Sequence, residues 1–312
     1  MRASKRRLGP LLLLLALGAC APGTEDSAVE RGDEAFALGR YEEAIAEYRL
    51  AVRQGADEPE VLARVAHTYA RLGRVDDAST HYASAVAADP AIANQAVTDL
   101  MRLAREAHVR EDRFAMASAV QAAREIEPAL GVRDLALPLA RHYFGAGEYG
   151  RALPFYQIAM AETSSAPEVV FEVAQAYEEI GDCEHALVFF ERFRTMVPAR
   201  SRGEVDWYIG TCAFNVARDL LARSLDPQGL ERALVLMDRA IEVGEPRNIQ
   251  ARAWFEKGEI LAELGRCEQA MEAYAQVRYA DQAGALIDRA QSAFDEIRFG
   301  RGLEYLRDGR CR

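Results

Sequence analysis

The sequence predicts an all-α chain, a solenoid of helical hairpins, and two observations carry that prediction. The first is a fixed ruler. Around Gly147 stand Ala140 seven residues before, Tyr143 four before, Ala152 five after and Tyr156 nine after; around Gly181, at the same offsets and 34 residues on, stand Ala174, Tyr177, Ala186 and Phe190. The second is the periodicity between these marks. Ala136, Leu139, Ala140 and Tyr143 fall at i, i+3, i+4 and i+7 on one helical face, and Ala152, Phe155, Tyr156 and Ala159 repeat the pattern on a second. A glycine between two such stripes lets the chain leave the first helix at positive φ and reverse direction. Small residues where the helices cross allow close approach, and the following aromatic fills the space beside them. Such a hairpin cannot bury its apolar face alone and needs neighbours of its own kind.

Further copies of the ruler surround Gly39 (Gly32, Ala44, Tyr48), Gly73 (Ala66, Tyr69, Ala78, Tyr82) and Gly265 (Gly258, Ala270, Tyr274). Between Gly73 and Gly147 lie 74 residues, two periods plus 6; the copy there, with helices expected near 97–107 and 114–124, has lost its turn glycine. Between Gly181 and Gly265 lie 84 residues, and the excess is assigned to a long first helix from Trp207 to about residue 224. Asp226-Pro227-Gln228-Gly229 then reads as a turn, followed by a second helix at 230–241. About seven hairpins are thus expected over residues 28–281, a capping helix within 282–299 from the stripe Leu286, Ile287, Ala290, Phe294 and Ile297, and a C-terminal tail at 300–312.

These stretches resemble tetratricopeptide repeats, with Trp254, Gly258, Leu261, Ala270 and Tyr274 nearest the family pattern and Pro90 and Pro198 in the place of its closing proline. The resemblance implies a right-handed superhelix whose first helices line a concave surface, and a chain that binds a protein or peptide partner there rather than catalysing a reaction. The family's ligand-facing positions fall on His67, Arg71, Arg102, Glu106, Arg141, Phe144, Phe171, Gln175, Glu178, Tyr208, Phe255 and Glu259. Exposed aromatics beside arginines and acids would suit an extended peptide or a partner helix.

At the N-terminus Lys5, Arg6 and Arg7 precede the apolar run 11–17, and Leu17-Gly18-Ala19-Cys20 follows. A basic start and a run well short of the roughly 20 residues needed to span a bilayer make residues 1–19 an export signal. The last four residues resemble a bacterial lipoprotein box, which implies lipidation of Cys20; the other reading is an ordinary signal peptide cut after Ala19. Ala21, in place of the aspartate that in many Gram-negative lipoproteins retains the inner membrane address, implies the periplasmic face of the outer membrane. Residues 20–27 then form the lipidated cysteine and a short tether. Loss of residues 1–19 takes the net charge from −11 to −15. Such a surface disfavours nucleic acid and anionic lipid, leaving the N-terminal lipid as the expected membrane contact.

Motifs for chemistry fail on context. Gly145-Ala146-Gly147-Glu148-Tyr149-Gly150 spells a dinucleotide fingerprint, but a helix rather than a strand is expected before it. In Arg31-Gly32-Asp33, an adhesion tripeptide by spelling, Gly32 is the crossing residue of the first hairpin. Cys183-Glu184-His185 puts residues two apart on a helix, pointing in different directions, and no metal site or cofactor is expected. The expected function is a scaffold or adaptor in envelope assembly, whether of a secretin, the outer membrane or a peptidoglycan enzyme. The alternative is an envelope enzyme or glycan-binding protein with its site in residues 215–229 or on the concave face.

Once Cys20 is set aside, Cys183, Cys212, Cys267 and Cys311 remain, an even number that in an exported chain suggests disulfides. Of three connectivities the ruler favours one. Cys183 and Cys267 each lie two residues past a turn glycine, beside the expected far end of the next first helix, where Cys212 falls. Cys183–Cys212 and Cys267–Cys311 follow; the other reading is four small buried thiols.

Overall fold

The computed structural model describes residues 27–162, 166–223, 225–299 and Cys311. Every regular element among them is helical, fifteen α-helices with three short 3₁₀ turns between them. None of these helices is long and apolar enough to cross a membrane. Packing divides the chain into two units, residues up to 104 with 118–130, and residues 105–117 with 131 onward.

The first unit holds the hairpins α1 (Ala28–Ala37) with α2 (Tyr41–Arg53) and α3 (Pro59–Arg71) with α4 (Val75–Ala88). It also takes the N-terminal part of α5 (Ala93–Val109) and the C-terminal part of α6 (Arg113–Ile126). Ser27 starts the first helix through a capping box, its hydroxyl accepting from the Glu30 N–H while the Glu30 carboxylate accepts from the Ser27 N–H. Ala66, Ala78, Tyr69 and Tyr82 are buried as their place on the ruler requires.

The second unit takes the rest of α5 and α6, then α7 (Ala136–Gly145) with α8 (Tyr149–Glu162), and α9 (Pro167–Glu179) with α10 (Cys183–Met196). After these come α11 (Gly203–Arg223) with α12 (Pro227–Val243), α13 (Arg247–Glu263) with α14 (Cys267–Ala280), and the lone α15 (Ile287–Phe299) packed on α14. The long first helix expected from Trp207 begins earlier, at Gly203. Asp226-Pro227-Gln228-Gly229 is not a free turn but the start of α12. Asp226 caps it, accepting from the Gly229 N–H at 2.7 Å, and Pro227 sits in the first turn where its missing N–H costs nothing. The described residues of 215–229 lie on these two helices and their junction: Val216 and Ala217 are buried, and Ala217 with Leu230 joins the core of α11 to α14.

The hairpin turns share one device. Gly39, Gly73, Gly147, Gly181 and Gly265 all take φ between 73° and 80°. The residue after each glycine donates its N–H back to the carbonyl four residues before the glycine, as Glu148 does to Tyr143 at 2.9 Å, closing the helix end. The third hairpin, which lacks the glycine, makes the same turn. Glu111 takes φ 61° in its place, and the Asp112 N–H reaches the Ala107 carbonyl at 2.9 Å. Close approach explains the glycines inside helices: a Cβ on Gly258 would lie 2.5 Å from the Tyr274 ring, and one on Gly32 2.6 Å from Tyr48.

Two disulfides are present. Cys183 at the start of α10 pairs with Cys212 inside α11, with Cα atoms 5.0 Å apart, and Cys267 at the start of α14 pairs with Cys311, with Cα atoms 5.4 Å apart. The Cys311 N–H also donates to the Ala262 carbonyl at 3.1 Å, fixing that end of the chain to α13. Cys20 lies outside the described residues.

Candidate interaction surface

Polar side chains on neighbouring first helices pair with one another. Six residues before its turn, each first helix from α1 to α9 carries a polar residue that reaches the next first helix or, for Arg105, the 3₁₀ turn just ahead of α7. In the first unit Arg64 donates to Asp33 at 2.5 Å, and His67 Nδ1 lies 2.6 Å from Asp99 Oδ2. In the second unit Arg105 donates to Asp134 at 2.6 Å, Arg141 Nε to both oxygens of Glu172 at 3.0 and 3.1 Å, and Gln175 to the Tyr208 hydroxyl at 3.3 Å. These contacts act as clasps between neighbouring hairpins, and tyrosines of the second helices complete them. Tyr48 donates to Asp33, Tyr82 to Asp99, Tyr156 to Glu172 and Tyr274 to Glu259.

Asp99 is the most enclosed of these acids, buried with Tyr82. Burial alone would lift its carboxyl, but the hydrogen bonds with His67 and Tyr82 and the charge of Arg102, 3.5 Å away, hold it below the usual carboxylate range. Burial and the bond to Asp99 push the Tyr82 phenol far up, so it stays a donor. Glu178 and Glu256 have no such donors. Burial raises both carboxyls, helped by Glu179 beside the former and opposed by Arg218 beside the latter.

The twelve expected ligand-facing residues fall into distinct environments. His67, Arg102, Arg141, Gln175 and Glu259 belong to the clasps or touch them. Arg71 is exposed and donates to the Tyr41 hydroxyl at 3.0 Å; Glu106 and Glu178 are half-buried. The aromatics correct the expectation, since none is exposed. Phe255 is buried, with its ring 5.8 Å from Tyr274 and Arg289 lying over it. Phe171 packs between Phe190, Phe193 and Tyr208; Tyr208 stacks on Phe190, and Phe144 meets Tyr149 and Tyr156 edge-on. An aromatic on the inner side of a first helix finds the aromatic of a second helix within reach and is drawn into the core. Phe255 and Glu259 line a cavity of about 380 Å³ against α15, together with Tyr274, Asp288, Arg289 and Glu296.

The motifs with chemical spellings are used structurally. Arg31 pairs with Glu47 at 2.8 Å, Gly32 faces the Tyr48 ring and Asp33 is a clasp, so all three residues of the tripeptide are engaged within the fold. Gly145 ends α7 and Gly147 is the turn, so a helix precedes the glycine run. Cys183 is in a disulfide, while the His185 ring meets Asp182, the N-cap of the same helix, at 2.7 Å. Among the described residues no cluster of His, Cys, Asp or Glu is arranged to hold a metal ion.

The repeat geometry has its counterpart in the comparisons. Residues 35–102 and 228–285 each match a tetratricopeptide-repeat family profile. Both stretches carry tetratricopeptide repeats. Outside these two stretches the tetratricopeptide assignment of the other hairpins rests on their own geometry. Similar solved structures include MamA, 20% identical over 54% of this chain and 88% of its own with a TM-score of 0.31. A second is the C-terminal part of a TPR repeat-containing protein from Cytophaga hutchinsonii, 18% identical over 84% of this chain and 97% of its own with a TM-score of 0.33. The TPR domain of P58(IPK) is 14% identical over 88% of each chain with a TM-score of 0.30. No curated protein matches the chain.

Reasoning from sequence placed both sides of the Gln175–Tyr208 clasp on the ligand-facing row, one side of the clasps to Asp99 and Glu172, and neither side of Asp33–Arg64 or Arg105–Asp134. The signal was there in the spacing. Clasp partners on successive first helices stand 29 to 33 residues apart, about one repeat.

Proposed function

We propose that this chain is a lipid-anchored scaffold of the bacterial envelope that holds a protein partner on its first-helix row, at the periplasmic face of the outer membrane. The observation that carries the reading is the clasped repeat array. Clasps between first helices hold successive hairpins in register, so a partner meets a surface already ordered and little is lost on docking. Tetratricopeptide repeats in general mediate protein–protein contacts, and Arg71, Glu178 and the cavity beside Phe255 and Glu259 are the features of this row open to one.

Two features support the address. The leader at residues 1–19 ends in the lipoprotein-like box at Cys20, and the paired cysteines fit an oxidising compartment. Secretin assembly, outer-membrane assembly and control of peptidoglycan enzymes are the processes in which such an adaptor would serve. Cys20→Ser tests the anchor. The variant should lose lipoprotein processing and leave the membrane fraction; if it stays as membrane-bound as the native protein after a high-salt wash, lipid is not the anchor. Charge reversal by Arg71→Glu with Glu178→Arg tests the surface. Partner recovery should fall about tenfold with the fold intact, and undiminished recovery would move the partner elsewhere.

A further inference from the structure

Helix α9 differs in charge from the other first helices. Each of α1, α3, α5, α7, α11 and α13 carries at least one arginine, whereas α9 has no basic residue and bears Glu168, Glu172, Glu178 and Glu179. Its neighbour α11, in the same unit, adds Glu204 and Asp206 and has no basic residue before Arg218. The cations that reach this stretch are engaged. Arg141 holds Glu172 and lies near Glu168, Arg194 meets Asp206 at 2.5 Å, and Arg202 reaches the Val197 carbonyl. Arg200 stands exposed in the 3₁₀ turn ahead of α11. Glu178, Glu179 and Glu204 have no ion pair among the described residues. Even with Arg200 and Arg202 counted in full, the stretch stays negative.

The same stretch presents an aromatic to water. Trp207 is 44% exposed on α11, its ring edge-on to Tyr208 at 5.2 Å. No cation lies over it among the described residues, whereas Trp254 already holds Lys257 over its ring at 5.2 Å. The Tyr208 hydroxyl accepts from Gln175 at 3.3 Å, and Glu178 lies about one helical turn further along α9, so Trp207 and the Glu178–Glu179 pair are within reach of one bound segment. Glu178 is half-buried, and burial and the neighbouring Glu179 raise its carboxyl. A cation set between the two acids would relieve their repulsion, and the face of an indole is the best aromatic seat for an ammonium or guanidinium.

We infer that the α9–α11 part of the first-helix row is the docking site for a Lys- or Arg-rich segment of the partner protein. One cationic side chain lies over the Trp207 ring, and another meets Glu178 and Glu179. Charge complementarity selects this occupant: an acidic segment, a nucleic acid or an anionic lipid surface would each be repelled by the same carboxylates. The inference rests on the scaffold reading and supplies the chemistry of the segment that the row would hold.

The test is selection of short random peptides displayed on phage against the full chain, followed by affinity measurements on the enriched peptides. Enriched sequences should be rich in Lys or Arg, and their binding should weaken as salt is raised. Trp207→Ala and the pair Glu178→Gln with Glu179→Gln should each weaken binding about tenfold. The glutamine pair keeps the fold testable, since removing negative charge at the C-terminal end of α9 should not lower the melting temperature. Glu42→Gln with Asp76→Asn, the same charge change at exposed positions on second helices, should alter binding by less than about twofold. Failure to enrich peptides, enrichment of acidic or wholly apolar ones, indifference to both variants, or an equal loss from the Glu42 and Asp76 pair would each overturn the inference. A cellular partner whose recovery falls with Arg71→Glu but is untouched by Trp207→Ala and by the glutamine pair would sink this site and leave the scaffold standing. Lys- or Arg-rich peptides bound through Trp207, with no cellular partner recovered, would do the reverse.

Discussion

Glu111 shows how a repeat tolerates a broken rule. The turn needs a left-handed residue; five copies use glycine, and the third keeps the geometry with a glutamate at a conformational cost of about 1 kcal/mol or more. Glu111→Gly should therefore raise stability by about 1 kcal/mol in chemical denaturation, less what glycine's freer unfolded chain takes back. A drop in stability would mean that the Glu111 side chain holds the turn. Asp99 gives the second prediction. Its carboxyl is held below the ordinary value of 3.8, so its ionised form stabilises the fold fully above that value, and the contribution is lost as pH falls through the lower folded value. Asp99→Asn should cost about 1–3 kcal/mol at neutral pH, and the gap to the native protein should narrow as pH drops below about 4. A gap constant from pH 7 to pH 3 would show that the charge of Asp99 is not what matters. Neither residue was marked in the sequence: Glu111 hides because a missing glycine leaves no positive signal, and Asp99 because its partners lie on other helices.

Helices and hairpins were the most legible level. The glycine turns, the alanines at the crossings and the aromatics behind them are set by contacts within one hairpin, so a local ruler finds them. Boundaries slipped where capping decides, as at Asp226 and Pro227, which read as a turn and serve as a helix start. The aromatics on first helices were misjudged for a related reason. Phe171 and Phe255 occupy positions that would be open on a single helix and are covered by the second helix of their own hairpin, through Phe193 and Tyr274, and by the next element, through Tyr208 and Arg289. The cysteines are the most direct test at this level. The bridges close separations of 29 and 44 residues, which typically stabilises by about 2–4 kcal/mol each. Non-reducing peptide mapping of exported protein should recover Cys183–Cys212 and Cys267–Cys311, and Cys311→Ser should lower stability by that order. Four alkylatable thiols, or a Cys183–Cys267 peptide, would contradict the pairing.

For the whole molecule the sequence spoke of fold class, and less of partner. An array of repeats is legible because its period is long-range order written along the chain, whereas a binding surface is written across it, one residue per helix. The clasps illustrate the difference. Read singly, His67 and Arg141 are polar residues on a ligand-facing row; read across helices, each is already bound to Asp99 or Glu172, and the surface left for a partner is narrower than the row. The central claim is that this row holds a protein partner. It is tested most directly by crosslinking the native protein in intact cells and identifying what is recovered by mass spectrometry, beside an unrelated lipoprotein handled identically. The account predicts a defined protein enriched with the native chain and depleted with Arg71→Glu/Glu178→Arg; recovery of nothing beyond the control lipoprotein's set would contradict it.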